Sequence, residues 1–348
     1  MNLGTLNISL KAIGNNWKKL NQISNPTSNT SAVVKADAYG LGVEKVANYL
    51  WKVGVKTFFV STVEEAVELR QLTNEEAKIY YLNGFSKTDK EAVNEFNVIP
   101  VLNSINQIHA FKHKNIKKKI VIQFDIGMNR LGLKKTDIEA FGELINPSDV
   151  KLVLGHLSSA DDINAVETEE QYDQFVKFSR LLPVAQKSLA ATAGILLDKK
   201  FHFDITRPGI GLYGGAPFEK AEPVVMLDLP IIQTKTITKN EGVGYNHTFV
   251  AKKTMKIATV GSGYADGLFR FLSNKGVLYS DRIKCPIIGR VSMDLITVDI
   301  SSLKIIPKTL QALNVEQSID DLAKYSNTIG YEILTSLGAR YKRIYNYT

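Results

Sequence analysis

Between residues 31 and 213, short β-branched apolar runs alternate with longer stretches whose apolar positions recur every three or four residues. Brief continuous or alternating apolar runs suit strands, and the longer period suits helices packed along one face. The runs at 32–35, 57–61, 79–83, 98–102, 120–125 and 151–156 predict strands, with weaker ones near 188–191 and 203–207. Residues 63–72 set Val63, Ala66 and Val67 on one helical face and Glu64, Glu65 and Glu68 on the other. Such alternation, repeated about eight times, predicts an α/β fold of the (β/α)8 TIM-barrel type.

The pattern changes after residue 228. Segments 230–238, 256–260, 276–283 and 296–300 are strand-like, with turns at 240–242 and 274–276. Segments 318–324 and 331–337 have helical spacing, and no low-complexity linker separates the two regions. The expectation is a barrel over 1–228 joined tightly to a mostly β domain over 229–348.

Composition narrows the classes. Apolar stretches such as 58–60 and 120–122 fall far short of the roughly 18 residues of a membrane span. The amino terminus lacks the apolar run of roughly 7–15 residues that a secretory signal carries. One cysteine, Cys285, cannot form an intramolecular disulfide, which suits a reducing compartment and reads as packing. A cytoplasmic protein without a membrane partner is expected. The net charge of +8 raises nucleic acid as a partner. The densest run, Lys112, Lys114, Lys117, Lys118 and Lys119, has only Phe111 as a neighbouring aromatic and reads as a solvated helix end. No nucleic-acid partner and no metal are expected, while a positive field favours an anionic cofactor.

Segment 32–42, AVVKADAYGLG, delivers Lys35 to the carboxyl end of the first strand, which is the catalytic face of an α/β barrel. A half-desolvated lysine there has a lowered pKa and can form a Schiff base with a carbonyl cofactor. Barrel logic alone equally allows a lysine that snorkels outward. The segment resembles the cofactor-lysine motif of alanine racemases, and the resemblance extends over nearly the whole chain. It implies an amino-acid racemase using pyridoxal 5'-phosphate, with alanine as substrate, Lys35 holding the cofactor and Tyr39 donating to its phosphate.

The loops after strands seven and eight often hold a phosphate in this barrel class. Thr192, within 190–194, and the amides of Gly209 and Ile210, within 207–214, occupy those loops. Glycine lets backbone N–H groups approach an anion closely. The resemblance places Arg207 against the pyridine nitrogen. A guanidinium stays protonated, so the ring nitrogen does not readily gain a proton and the electron sink is weakened, which suits racemisation over transamination.

Inverting a chiral centre through a planar carbanion requires an acid/base on each face. Segment 241–246 resembles the tyrosine-base motif, which makes Tyr245 the second base, lent by the partner subunit of a homodimer. His156, in 155–161, matches the histidine that orients it. Arg130, in 125–132, matches the donor to the substrate carboxylate, joined by the backbone of Met293 from the partner. Segment 261–267 resembles the substrate-access motif and places Tyr264 and Arg270 at the mouth. D-alanine supply for peptidoglycan is the implied role.

Three positions depart from the family pattern. Gln123 stands where many members carry a carbamylated lysine bracing the arginine at 130. Ala339 stands where some members have a phosphate-contacting tyrosine, with Tyr341 as the nearest substitute, and Ala191 replaces a common asparagine. Substrate breadth, serine included, stays open on this reading. A decarboxylase of the ornithine or diaminopimelate type shares the layout, but it draws a catalytic cysteine from the β domain and a glutamate in the phosphate loop. Here Cys285 precedes a proline in an apolar strand and the loop reads Thr206-Arg207-Pro208-Gly209. A barrel-only carrier of the cofactor would lack residues 229–348.

Overall fold

The strands Ala32–Val33, Thr57–Val60, Lys78–Tyr81, Ile99–Leu102, Ile120–Gln123, Val150–Leu154 and Gln186–Ser188 pair in parallel and in chain order. This computed structural model describes residues 4–24, 26, 28–114, 116, 118–137, 146–182 and 185–347; Lys117 of the charged run lies outside them. Both faces of the sheet are covered, so strands such as that of Phe58 and Phe59 are apolar without alternation. The eighth strand, Ile205–Thr206, pairs with Asn29–Thr30 ahead of the first. On its other side Asp204 N–H donates to Lys187 O and Arg207 N–H to Ala190 O. These bonds carry the ring from its last strand back to its first.

Helix Val63–Leu72 forms as its pattern requires, started by a capping box in which Thr62 and Glu65 satisfy each other's backbone amides. The expected strand at 188–191 forms instead at Gln186–Ser188, because residues 192–197 already belong to helix Thr192–Leu197. The charged run begins at Lys112 in the last turn of helix Ile105–His113 and ends just before strand Ile120–Gln123, at the opposite end of the barrel from the carboxyl ends of the strands.

A second sheet runs in the order Ile283–Pro286, Val277–Ser280, Thr309–Leu313, Val225–Ile237, Thr5–Ser9, Lys342–Asn346. Met255–Val260 pairs with the far half of Val225–Ile237, and Ile296–Asp299 pairs beyond it. The segment expected to open the barrel contributes a strand to this sheet. Thr5–Ser9 is antiparallel to Val225–Ile237 and parallel to Lys342–Asn346, and Val225–Ile237 itself runs through the 228/229 boundary. Alternation explains the strand, since Leu6 and Ile8 are fully buried while their neighbours are not. The single run expected at 276–283 is a hairpin whose turn residue Asp281 has φ 51°. One apolar core continues from barrel to β domain without a break. Among the described residues no helix is long and apolar enough to cross a membrane, and no cluster of His, Cys, Asp or Glu could hold a metal ion.

Candidate active site

The first strand stops at Val33, and Lys35 opens a turn, Lys35–Gly40, in which Ala36, Asp37, Ala38 and Tyr39 all have φ between 52° and 58°. Left-handed backbone costs roughly 1–2 kcal/mol per L-residue, so the turn needs external support. Ala36 N–H donates to Glu65 Oε1 at 2.7 Å, and Ser61 N–H to Glu65 Oε2 at 2.6 Å. Val43 N–H donates to Asp37 Oδ1 at 2.6 Å. From the carboxyl end of the chain, Arg343 donates to Gly40 O at 3.1 Å and Tyr345 Oη to Leu41 O at 3.0 Å. Lys35 is thus held at the mouth of the barrel. Burial lowers its pKa, the Arg130 cation lowers it further, and Glu65 opposes both.

One end of the cleft is built of hydroxyls and amides. Tyr39 lies 4.5 Å from the Tyr213 ring and 6.0 Å from Tyr331. Burial pushes the Tyr39 phenol up and Tyr331 to about 12, so both stay protonated donors. Thr192 Oγ1 accepts from Gly209 N–H at 3.1 Å and Gly211 N–H at 3.3 Å. A β-carbon on Gly209 would collide with the Tyr39 hydroxyl.

Arg207 and His156 form the opposite wall. The buried Arg207 guanidinium donates to Ser188 Oγ at 2.5 Å and Gly155 O at 2.7 Å. It also reaches Leu189 O and His156 Nδ1, both at 3.4 Å, so all four described partners are neutral. Burial lowers its pKa to about 10, which leaves it charged at neutral pH. His156 is pushed down to about 3 by burial and then by Arg207, Arg130 and Lys35. A neutral ring that accepts at Nδ1 carries its proton on Nε2, available as a donor.

Arg130 projects from a loop whose turn is held by Asp125, with Oδ1 accepting from Gly127 N–H at 3.1 Å and Asn129 N–H at 3.0 Å. Gln123 donates its amide to Leu131 O at 3.0 Å and so braces the backbone beside Arg130. Lys35, Tyr39, Arg130, His156, Thr192, Arg207, Gly209 and Ile210 line one cleft of about 500 Å³, together with Gln123 and Tyr331.

Residues 8–217 match the family model of the alanine racemase N-terminal domain, and residues 224–345 that of the alanine racemase C-terminal domain. The chain belongs to the alanine racemase family. It is 46% identical over 345 residues to an alanine racemase of Cereibacter sphaeroides, covering 99% of both chains. The crystal structure of alanine racemase from Bartonella henselae with covalently bound pyridoxal phosphate has a TM-score of 0.93 at 38% identity, covering 99% of each chain. The biosynthetic alanine racemase from Pseudomonas aeruginosa gives 0.93 at 30% identity, over 99% of this chain and 100% of that one.

Four residues that the alanine racemase motifs single out, Tyr245, Met293, Tyr264 and Arg270, do not line the cleft. Tyr245 is 68% exposed and Met293 54% exposed, both on the β domain. Tyr264 sits against the loop of Met293, its N–H donating to Ser292 O at 3.0 Å. Arg270 is exposed. Tyr341 does not reach the cleft; it is buried with its hydroxyl 2.7 Å from Ser262 Oγ. The tyrosine that lines the cleft together with Tyr39 is Tyr331, on helix Gly330–Ser336. Sequence reasoning found that helix but assigned Tyr331 no role. It also read Glu65 as an outward carboxylate, although the Thr62-x-x-Glu65 spacing signalled a capping box next to the Lys35 turn.

Proposed function

We propose that this chain interconverts L- and D-alanine with pyridoxal phosphate, using Lys35 and Tyr245 as opposing acid/base groups across a homodimer. The observation that carries the reading is the convergence in one cleft of a desolvated lysine, two protonated tyrosines, a buried guanidinium with only neutral partners, and a neutral histidine. That donor set fits the cofactor. Tyr39, Tyr331, Thr192 and Ile210 suit its phosphate, Lys35 its aldehyde, and Arg207 its ring nitrogen. When bound, pyridoxal phosphate supplies a carbonyl and a conjugated ring that withdraw electrons from the substrate Cα.

The residues supply the rest. Lys35, whose pKa burial and Arg130 lower, takes or returns a proton on one face of Cα. Tyr245, presented by the partner subunit, serves the other face, and His156 Nε2–H donates to its oxygen, stabilising the phenolate. The cationic guanidinium of Arg207 keeps a proton off the ring nitrogen, which limits electron withdrawal and favours rapid reprotonation. Arg130 takes the substrate carboxylate, and the backbone of the partner's loop at Met293 closes the site. The product supplies D-alanine for peptidoglycan in the cytoplasm. The decarboxylase reading lacks its catalytic cysteine, because Cys285 is buried and its thiol is pushed up to about 11.

An absorbance spectrum followed by chiral analysis after incubation with L-alanine tests the reading, with Lys35→Ala alongside. A cofactor band and D-alanine, both lost in the variant, support it. A colourless, inactive protein overturns it, and full activity in a monomer at assay concentration overturns the dimer.

A further inference from the structure

Arg340 follows helix Gly330–Ser336 and reaches two carboxylates at once. Its Nε donates to Asp266 Oδ1 at 2.6 Å and its Nη1 to Asp294 Oδ1 at 2.8 Å. Asp266 is fully buried, and its other oxygen accepts from Gly263 N–H at 3.0 Å. Removing the guanidinium there would leave a buried charge poorly compensated, so the first arm serves stability. Asp294 is half exposed and needs no such partner. The second arm therefore has a different consequence: it fixes the loop that carries Met293.

The surrounding bonds make this a clamp between two loops. Tyr264 N–H donates to Ser292 O and Ala265 N–H to Met293 O, each at 3.0 Å. Gly338 N–H donates to Asp266 O at 3.1 Å, and the Tyr341 and Ser262 hydroxyls meet at 2.7 Å. The segment 338–341 thus grips the loop 262–266 at three places, and Arg340 extends the grip to Asp294. The residues so held, Tyr264 and Met293, are exposed and absent from the lining of this chain's own cleft.

We propose that Arg340 is a positioning residue for racemisation that works in trans, setting Tyr264 and Met293 in the pose that meets the partner subunit's cleft. This rests on the homodimer reading above. Asp294→Asn is the informative variant, because it weakens only the exposed arm and leaves the Asp266–Arg340 pair to keep the fold. Misplacement of a substrate-positioning loop by about 1 Å can cost up to about 100-fold. An increase in KM for alanine of roughly tenfold, with a smaller change in kcat and an unchanged melting temperature, is expected for loss of one such contact. Arg340→Lys should keep part of the effect and Arg340→Gln should lose it together with stability.

Subunit mixing separates trans from cis. In a doubly tagged hybrid of Asp294→Asn with Lys35→Ala, the one competent site combines the first chain's intact Lys35 with the second chain's intact Asp294. Normal KM in that hybrid supports the proposal. KM as high as in the Asp294→Asn homodimer, or no rise in that homodimer, overturns it. A parallel hybrid of Lys35→Ala with Tyr245→Phe tests the dimer alone. Recovery of activity there upholds shared sites whatever Asp294 does, and its absence overturns the dimer reading and the trans role with it.

Discussion

Gly209 and Tyr39 face each other so closely that a β-carbon on the glycine would overlap the phenolic oxygen. The close approach of the Tyr39 hydroxyl leaves no room for a side chain at this position. Gly209→Ala should displace the Tyr39 hydroxyl and weaken cofactor binding about tenfold, or ~1.4 kcal/mol. Cofactor titration followed by absorbance checks this, and an unchanged dissociation constant would dismiss the steric argument.

The charge environment of Lys35 makes two opposite shifts. Arg130 lowers its pKa and Glu65 raises it. In Arg130→Met the amine should therefore lose its proton at higher pH than in the unaltered protein, and in Glu65→Gln at lower pH. The rate at which the apoprotein captures pyridoxal phosphate, followed across pH, reads this directly. Shifts in the same direction would contradict the assignment.

His156 should stay neutral throughout the physiological range, with its ring pKa near 3. The unfolded chain binds a proton at this histidine near the usual value of about 6.5, and the folded chain does not until about 3. Between those values the unfolded state holds more protons, so stability falls as pH falls through the window and is fully present above it. Ring nitrogen NMR should show one Nε2–H tautomer without titration from about pH 8 to 5. His156→Gln should flatten the acid loss of stability measured by urea unfolding.

Arg343 joins three backbone carbonyls, Gly40 O, Leu337 O and Gly338 O, at 3.1 to 3.2 Å. It ties the left-handed Lys35–Gly40 turn of the barrel to the end of helix Gly330–Ser336. Arg343→Ala should cost about 1.5–3 kcal/mol, the range for hydrogen bonds to a charged group. Lower cofactor occupancy should accompany it, because the turn that aims Lys35 and Tyr39 loses a support. Denaturant midpoints and absorbance at equal protein concentration check both parts.

Local pattern alone determined much of this protein. The period change along residues 31–213 specified barrel strands and outer helices, and strand order put Lys35, Thr192, Arg207 and Gly209 at the carboxyl ends where a barrel does chemistry. Motif resemblance added Tyr39, Arg130 and His156, and the fold brings all seven to one cleft. What tertiary structure decided was pairing between distant segments. Thr5–Ser9 alternates like any half-buried strand, and nothing within it names Val225–Ile237 and Lys342–Asn346 as its neighbours. Tyr331 is one aromatic on a short helix until that helix packs against the Lys35 turn, where a β-carbon on Gly40 would stand 2.7 Å from Leu334 O. Arg340, Asp266 and Asp294 are likewise scattered charges in the sequence that become a clamp only when three loops meet. Periodicity reports which face of an element is buried; which element buries it is settled by long-range packing, and there the sequence is silent.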